Sequence, residues 1–93
     1  MRAIEWTGQF KRDYKREGKA QHRATLDADL FPVVGALAKD EALEPRHHDH
    51  ALTGQWNDHS DCQVKPDLVL IYRTPDPQTL QLVRLGSHSE LGL

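Results

Sequence analysis

The chain has 93 residues, room for one small domain with one core, and its 38% hydrophobic and 28% charged residues are too apolar a mix for a disordered tail. No apolar run approaches the roughly 20 residues that span a bilayer, and the net charge of −2 gives no overall pull toward a polyanion. The single cysteine, Cys62, excludes an internal disulfide and any Cys-rich zinc module. The start, Met1-Arg-Ala-Ile-Glu-Trp6, carries an acid where a secretory signal would be apolar, so a cytoplasmic protein with no membrane partner is expected.

Ile4 and Trp6 alternate with polar residues and predict a short first strand. Thr7 is placed to N-cap a helix whose buried side carries Phe10 and Tyr14, and Gly18 to end it. A second stripe, Leu26, Leu30, Val33, Val34 and Leu37, has helical spacing; Pro32 inside it predicts a kink, or a new helix with Pro32 in its first turn. The second half reads as sheet. Residues 60–65 fit a strand, Pro66-Asp67 breaks it, and residues 68–73 form the apolar run of a central strand. Pro75-Asp76-Pro77 is expected to turn the chain. In the last strand Leu80, Leu82 and Arg84 are expected on one face, with Gln81, Val83 and Leu85 on the other. The expected fold is α+β, in the order β-α-α-β-β-β. It is a small antiparallel sheet with two N-terminal helices packed on one face and the first strand at the sheet edge.

Charge is unevenly distributed. Residues 1–25 carry +4, residues 26–61 carry −6 and the remainder is neutral. Lys11, Arg12, Lys15, Arg16, Lys19 and Arg23 form either a solvated helix face or a patch toward a polyanion. Five of the six histidines lie between His47 and His88. Histidine is the side chain whose ordinary pKa suits proton transfer at neutral pH. Three readings follow. A metal site would draw on His47, His48 or His50 with His59 or Asp61, but this spacing matches no structural zinc pattern. A metal-free ribonuclease would use the 2′-hydroxyl of RNA as nucleophile. It needs a base, an acid and cationic donors for the phosphorane, which His, Asp and Arg supply. The third reading is scattered surface histidines on an interaction module.

Three strings narrow the choice: Asp49-His-Ala-Leu-Thr-Gly-Gln-Trp56, Asp61-Cys-Gln-Val-Lys-Pro-Asp-Leu-Val-Leu-Ile-Tyr72 and Leu82-Val-Arg-Leu-Gly-Ser-His-Ser-Glu-Leu91. In this order and spacing they resemble the YafQ branch of the RelE/ParE superfamily of bacterial type II toxin–antitoxin toxins. The resemblance reaches back through Ile4-Glu-Trp-Thr-Gly-Gln-Phe10 and so covers nearly the whole chain, as a single RelE-like domain over residues 1–93.

The resemblance implies a ribosome-dependent endoribonuclease, an mRNA interferase working without a cofactor or metal. It also implies a cognate antitoxin, of the ribbon-helix-helix type, that neutralises it. By position it implies that His50 and His88 transfer protons. Arg84 then binds the scissile phosphate, Asp67 orients a reacting group and Asp61 supports the site. Gln63, Lys65 and Arg73 are the candidate substrate-binding residues on this reading. Two departures stand out. Active members of the branch carry a histidine where this chain has Gln63, and glutamine cannot exchange a proton near neutral pH. The branch also has a phenylalanine after the leucine of its last motif, where this chain ends Leu91-Gly-Leu93, so no codon preference carries over. The alternative from another class is a non-catalytic toxin of the same fold, such as a ParE-like gyrase inhibitor or an antitoxin-binding protein.

Overall fold

The computed structural model describes all 93 residues. Strand β1 (Ala3–Trp6) leads into helix α1 (Gly8–Glu17) and helix α2 (Leu26–Ala38). A 3-10 turn at Pro45–His47 precedes the two-residue strand β2 (His50–Ala51), and a second one at Gly54–Trp56 follows it. The chain closes with β3 (Ser60–Lys65), β4 (Leu68–Asp76), β5 (Thr79–Gly86) and the short helix α3 (His88–Leu91). The five strands form one sheet in the order β1-β5-β4-β3-β2. The expected meander of β3, β4 and β5 is antiparallel. The sheet as a whole is mixed, because β1 lies at the edge parallel to β5, with Trp6 opposite Leu82. Two helices separate β1 from the meander, and they return the chain so that its last strand runs beside its first in the same direction.

Local chemistry sets the helix ends. The Thr7 hydroxyl accepts from the Phe10 backbone N–H at 3.1 Å and donates to the Val83 carbonyl at 3.0 Å, capping α1 and fastening it to β5. Gly18 ends α1 as expected. Helix α2 runs through Pro32 as one element rather than restarting there. Proline removes one N–H and so leaves the Ala28 carbonyl without its helical donor; both residues are exposed, so water can serve instead. Pro75 and Asp76 belong to β4, and the turn is Pro77-Gln78. The irregular register between Arg73 and Asp76 accommodates Pro75, and the Asp76 carboxylate takes the Gln78 N–H at 2.8 Å.

Phe10 and the inner faces of α2 cover one side of the sheet, packing on Cys62, Val64, Leu68, Leu70, Tyr72, Leu80, Leu82 and Leu85. Val69 and Ile71 face the other way, where Leu91 of α3 covers them with Leu52, Trp56 and Val83 around it. Leu85 thus shares a face with Leu80 and Leu82, against strict alternation. Register shifts between Ile71 and Tyr72, which face Arg84 and Leu82, so Val83 is the extra residue of a bulge. One inserted residue resets the side-chain parity of everything after it. No helix is long and apolar enough to cross a membrane.

Candidate active site

The face of the sheet away from α1 and α2 collects the chemistry. Because Cys62 and Val64 point into the main core, Asp61 and Gln63 point to this second face. Two lines of register cross it. His50 pairs with Asp61, Asp61 with Ile71 and Ile71 with Arg84. Gln63 pairs with Val69, and Val69 with Gly86, two residues before His88.

His50 and Asp61 meet directly. Nε2 of His50 is 3.0 Å from Oδ1 of Asp61. The approach is off the hydrogen-bond direction, and Oδ1 has no hydrogen-bond partner in the protein. The carboxylate is almost wholly buried while more than half of the imidazole is open. Burial raises the Asp61 carboxyl above its ordinary range, and the charges of His50 and His88 oppose that rise. His88 therefore lies close enough for its charge to act on the same carboxylate.

The loop bearing His50 is tied at three points. His47, itself buried, places Nδ1 2.6 Å from the Gln63 carbonyl. Tyr72 donates its hydroxyl to the Asp49 carboxylate, and burial together with that bond raises the phenol strongly. His50 Nδ1 lies 2.7 Å from the His48 carbonyl. A carbonyl only accepts, so this Nδ1 carries the proton and Nε2 is the atom that exchanges one. His48 supports the arrangement from a left-handed backbone with φ of 47°. His88 is the exposed first residue of α3. Ser87 and Glu90 form a reciprocal cap around it, and the Ser87 contacts hold the Glu90 carboxyl below its ordinary value.

The remaining sequence candidates are placed elsewhere. Asp67 lies at the β3–β4 turn, with His22 Nε2 at 3.2 Å and the Gln21 amide at 3.0 Å, both from the α1–α2 connection. Lys65 reaches Thr25 at 2.7 Å and Asp29 at 3.1 Å, beside α2. Arg73 stands on the face of Ile71 nearer the β4–β5 turn, its Nε buried without a partner. Arg84 shares the His50 line, but its guanidinium turns toward α1, with Nε 2.7 Å from Asp13. No hydrogen bond or ion pair joins these four to His50, Asp61 or His88. The histidine-rich segment is dispersed likewise, and no three His, Cys, Asp or Glu side chains converge in a way that could hold a metal ion. The Cys62 thiol is fully buried, and burial raises it far above its ordinary value, so it is no nucleophile.

Sequence reasoning gave no role at the site to Asp13, Asp49 or Tyr72 and placed Arg16 only on the basic helix face, where it instead holds Asp13 and the Leu85 carbonyl. Asp13 did carry a signal. It falls three residues after Phe10 and four before Glu17, on the stripe that α1 buries, where an unpaired acid would be costly.

The model of the family described as bacterial toxin of type II toxin–antitoxin system, YafQ, matches residues 2–92. The mRNA interferase toxin YafQ of Escherichia coli (strain B / BL21-DE3) is 33% identical over 91 residues, covering 98% of this chain and 96% of that protein. A crystal structure of a metal-bound toxin from Helicobacter pylori is 41% identical, with a TM-score of 0.83 over 98% of this chain and 99% of that one. A chain in a crystal structure of the E. coli DinJ–YafQ complex is 32% identical, with a TM-score of 0.83 over 98% of each chain.

Proposed function

Because the chain belongs to the YafQ family of type II toxin–antitoxin toxins, we propose that it is a ribosome-dependent mRNA interferase whose proton transfer centres on the His50–Asp61 pair and His88. The observation that carries this reading is the 3.0 Å approach of an open imidazole to a buried carboxylate that also feels His88. RNA brings its own nucleophile. His50 Nε2 takes the proton of the 2′-hydroxyl, and the Asp61 carboxylate stabilises the imidazolium that forms. The 2′-oxygen attacks the adjacent phosphorus, and the bond to the 5′-oxygen breaks. His88 returns a proton to that leaving oxygen. The products are a 2′,3′-cyclic phosphate and a 5′-hydroxyl, and no step requires a metal. Arg84 offers a planar fork of donors to the phosphate, while Asp67, held by His22 and Gln21, takes no part in the proton transfer.

The partners follow from the same reading: mRNA held in the ribosome, and an antitoxin, as the E. coli relative has in the DinJ–YafQ complex. A ribbon-helix-helix antitoxin with an acidic segment would suit the basic α1. With a net charge of −2, ribosome binding should depend only modestly on salt.

Primer extension on a defined mRNA in programmed ribosomes, with EDTA present, tests the function. The chain is run beside Gln63→His and His88→Ala. Cleavage that His88→Ala abolishes supports the enzyme. Cleavage by Gln63→His alone identifies this chain as an attenuated form. A 3′-hydroxyl product would sink the 2′-hydroxyl mechanism. No cleavage by any form, with inhibition of gyrase supercoiling instead, would move the chain to the non-catalytic class.

A further inference from the structure

Strand β1 ends at Trp6, yet β5 continues to Gly86, so beyond Leu82 the edge of β5 that faces away from β4 has no strand beside it. Two side chains of α1 stand in for one. The Asp13 carboxylate accepts the Leu85 N–H at 3.0 Å, and the Arg16 guanidinium donates to the Leu85 carbonyl at 2.8 Å. Asp13 is only 4% exposed. The same carboxylate takes Arg84 Nε at 2.7 Å and, more loosely, Arg84 Nη2 at 3.4 Å, while Arg16 Nη1 closes the set at 3.1 Å.

Satisfying one strand-edge N–H does not require an arginine held by the Nε side of its guanidinium. That grip fixes the plane of the fork and leaves the Nη1 side free. Arg84 lines an open cleft of about 240 Å³ with Gln9, Arg12 and Asp13. Arg16 extends the anchor toward α3: its Nε lies 3.6 Å from Glu90, the residue that caps the helix start bearing His88. Arg84 and His88 thus share one foundation on α1.

We propose that Asp13 is a positioning residue that clamps the Nε edge of Arg84 so that the opposite edge presents two donors to an RNA phosphate in the cleft beside Gln9 and Arg12. The proposal rests on the nuclease reading. It adds a residue that touches no substrate and acts through Arg84. A guanidinium held in plane loses little freedom on binding a phosphate, and a small misplacement of such a group can cost about 100-fold in rate.

The test combines a double-mutant cycle with a spectroscopic readout. Cleavage on programmed ribosomes is measured for Asp13→Asn, Arg84→Ala and the double variant, all in whichever of this chain and Gln63→His cuts. Asp13→Asn is expected to lower kcat by roughly 10- to 100-fold with little change in KM. It should add almost nothing on top of Arg84→Ala. Arg84→Lys, which keeps the charge without the fork, should lose kcat similarly and covers the case in which Asp13→Asn fails to fold. In the unmutated chain the Arg84 Nε–H should exchange slowly with solvent by NMR, and Asp13→Asn should release it. Multiplicative losses in the cycle, full activity of Arg84→Lys or a freely exchanging Arg84 Nε–H would each overturn the proposal while leaving the nuclease reading intact. Failure of both starting chains to cut would defeat that reading and the proposal with it.

Discussion

The His50 imidazole, on the edge strand β2, brings Nε2 to 3.0 Å from the buried Asp61 carboxylate. The pair follows from two adjacent strands, His50 opening β2 and Asp61 opposite it on β3. An open base backed by a buried acid is exposed to substrate on one side and fixed on the other.

The Asp61 carboxyl is raised from its ordinary 3.8, so the folded chain binds that proton more tightly than the unfolded chain does. This contribution to stability falls as pH rises from 3.8 through the higher folded value, and at neutral pH the ionised carboxylate is a net cost. Asp61→Asn should remove the cost. The expected outcome is a thermal midpoint at pH 7 equal to or above that of the unmutated chain. The stability gain of the variant should shrink as pH falls toward 3.8. Cleavage should fall at least about 10-fold, because the imidazolium loses its counter-charge. Calorimetry across pH and ribosomal cleavage at pH 7 check the two halves separately.

His88 and His50 are exposed side chains on well-anchored backbone. Replacing His88 with alanine should leave stability within about 0.5 kcal/mol, whereas His50→Ala leaves the buried Asp61 carboxylate without its nearest counter-charge and should cost about 1 to 3 kcal/mol. In both, cleavage falls by roughly 100- to 10,000-fold. Denaturant unfolding beside single-turnover cleavage measures both.

Gln63 faces the same side as Asp61 and lies in register, through Val69, with Gly86, two residues before His88. Gln63→His puts an exchangeable proton on that line. Cleavage should rise by about 100-fold, a gain of the size expected from one general acid or base. The rise should vanish when His88 is also replaced. Single-turnover rates of the two variants decide it.

Tyr72 holds the Asp49 carboxylate and so fixes the loop one residue before His50. Tyr72→Phe leaves the ring packed but the carboxylate without that donor, at a cost of about 1 to 3 kcal/mol. The loop should loosen with it, so the expected readout is a lower unfolding midpoint in urea together with a cleavage rate that drops less than in His50→Ala.

Lys65 was a substrate-binding candidate, but its ammonium is occupied by Thr25 and Asp29. The Lys65 contact is the first cause holding the Asp29 carboxyl below its ordinary 3.8. A lowered carboxyl contributes stability that is present above 3.8 and is lost as pH falls through the folded value. Lys65→Ala should therefore leave cleavage at pH 7 unchanged and remove part of the acid-side stability. Acid unfolding curves of the two chains, compared below pH 4, show the difference.

Reading the residues in order was enough to find the elements that local chemistry specifies. Thr7 and Gly18 bound α1 because a hydroxyl cap and a small residue act within one turn. Residues 68–73 announce themselves as a strand because an apolar run bounded by Pro66-Asp67 has no other good burial, and residues 60–65 because Cys62 and Val64 alternate with polar residues. The strings around His50, Asp61 and His88 gave the family for the same reason: motif order and spacing are properties of the chain. The tertiary structure alone decided which of these residues meet. His50 finds Asp61 by strand register, and Leu85 faces the main core because a bulge at Val83 shifts the parity. Arg84 turns to Asp13, 71 positions away, because β1 stops short and leaves the Leu85 backbone for α1 to satisfy. Register, parity and edge satisfaction depend on which strands lie side by side, and that is settled only when distant segments pack together.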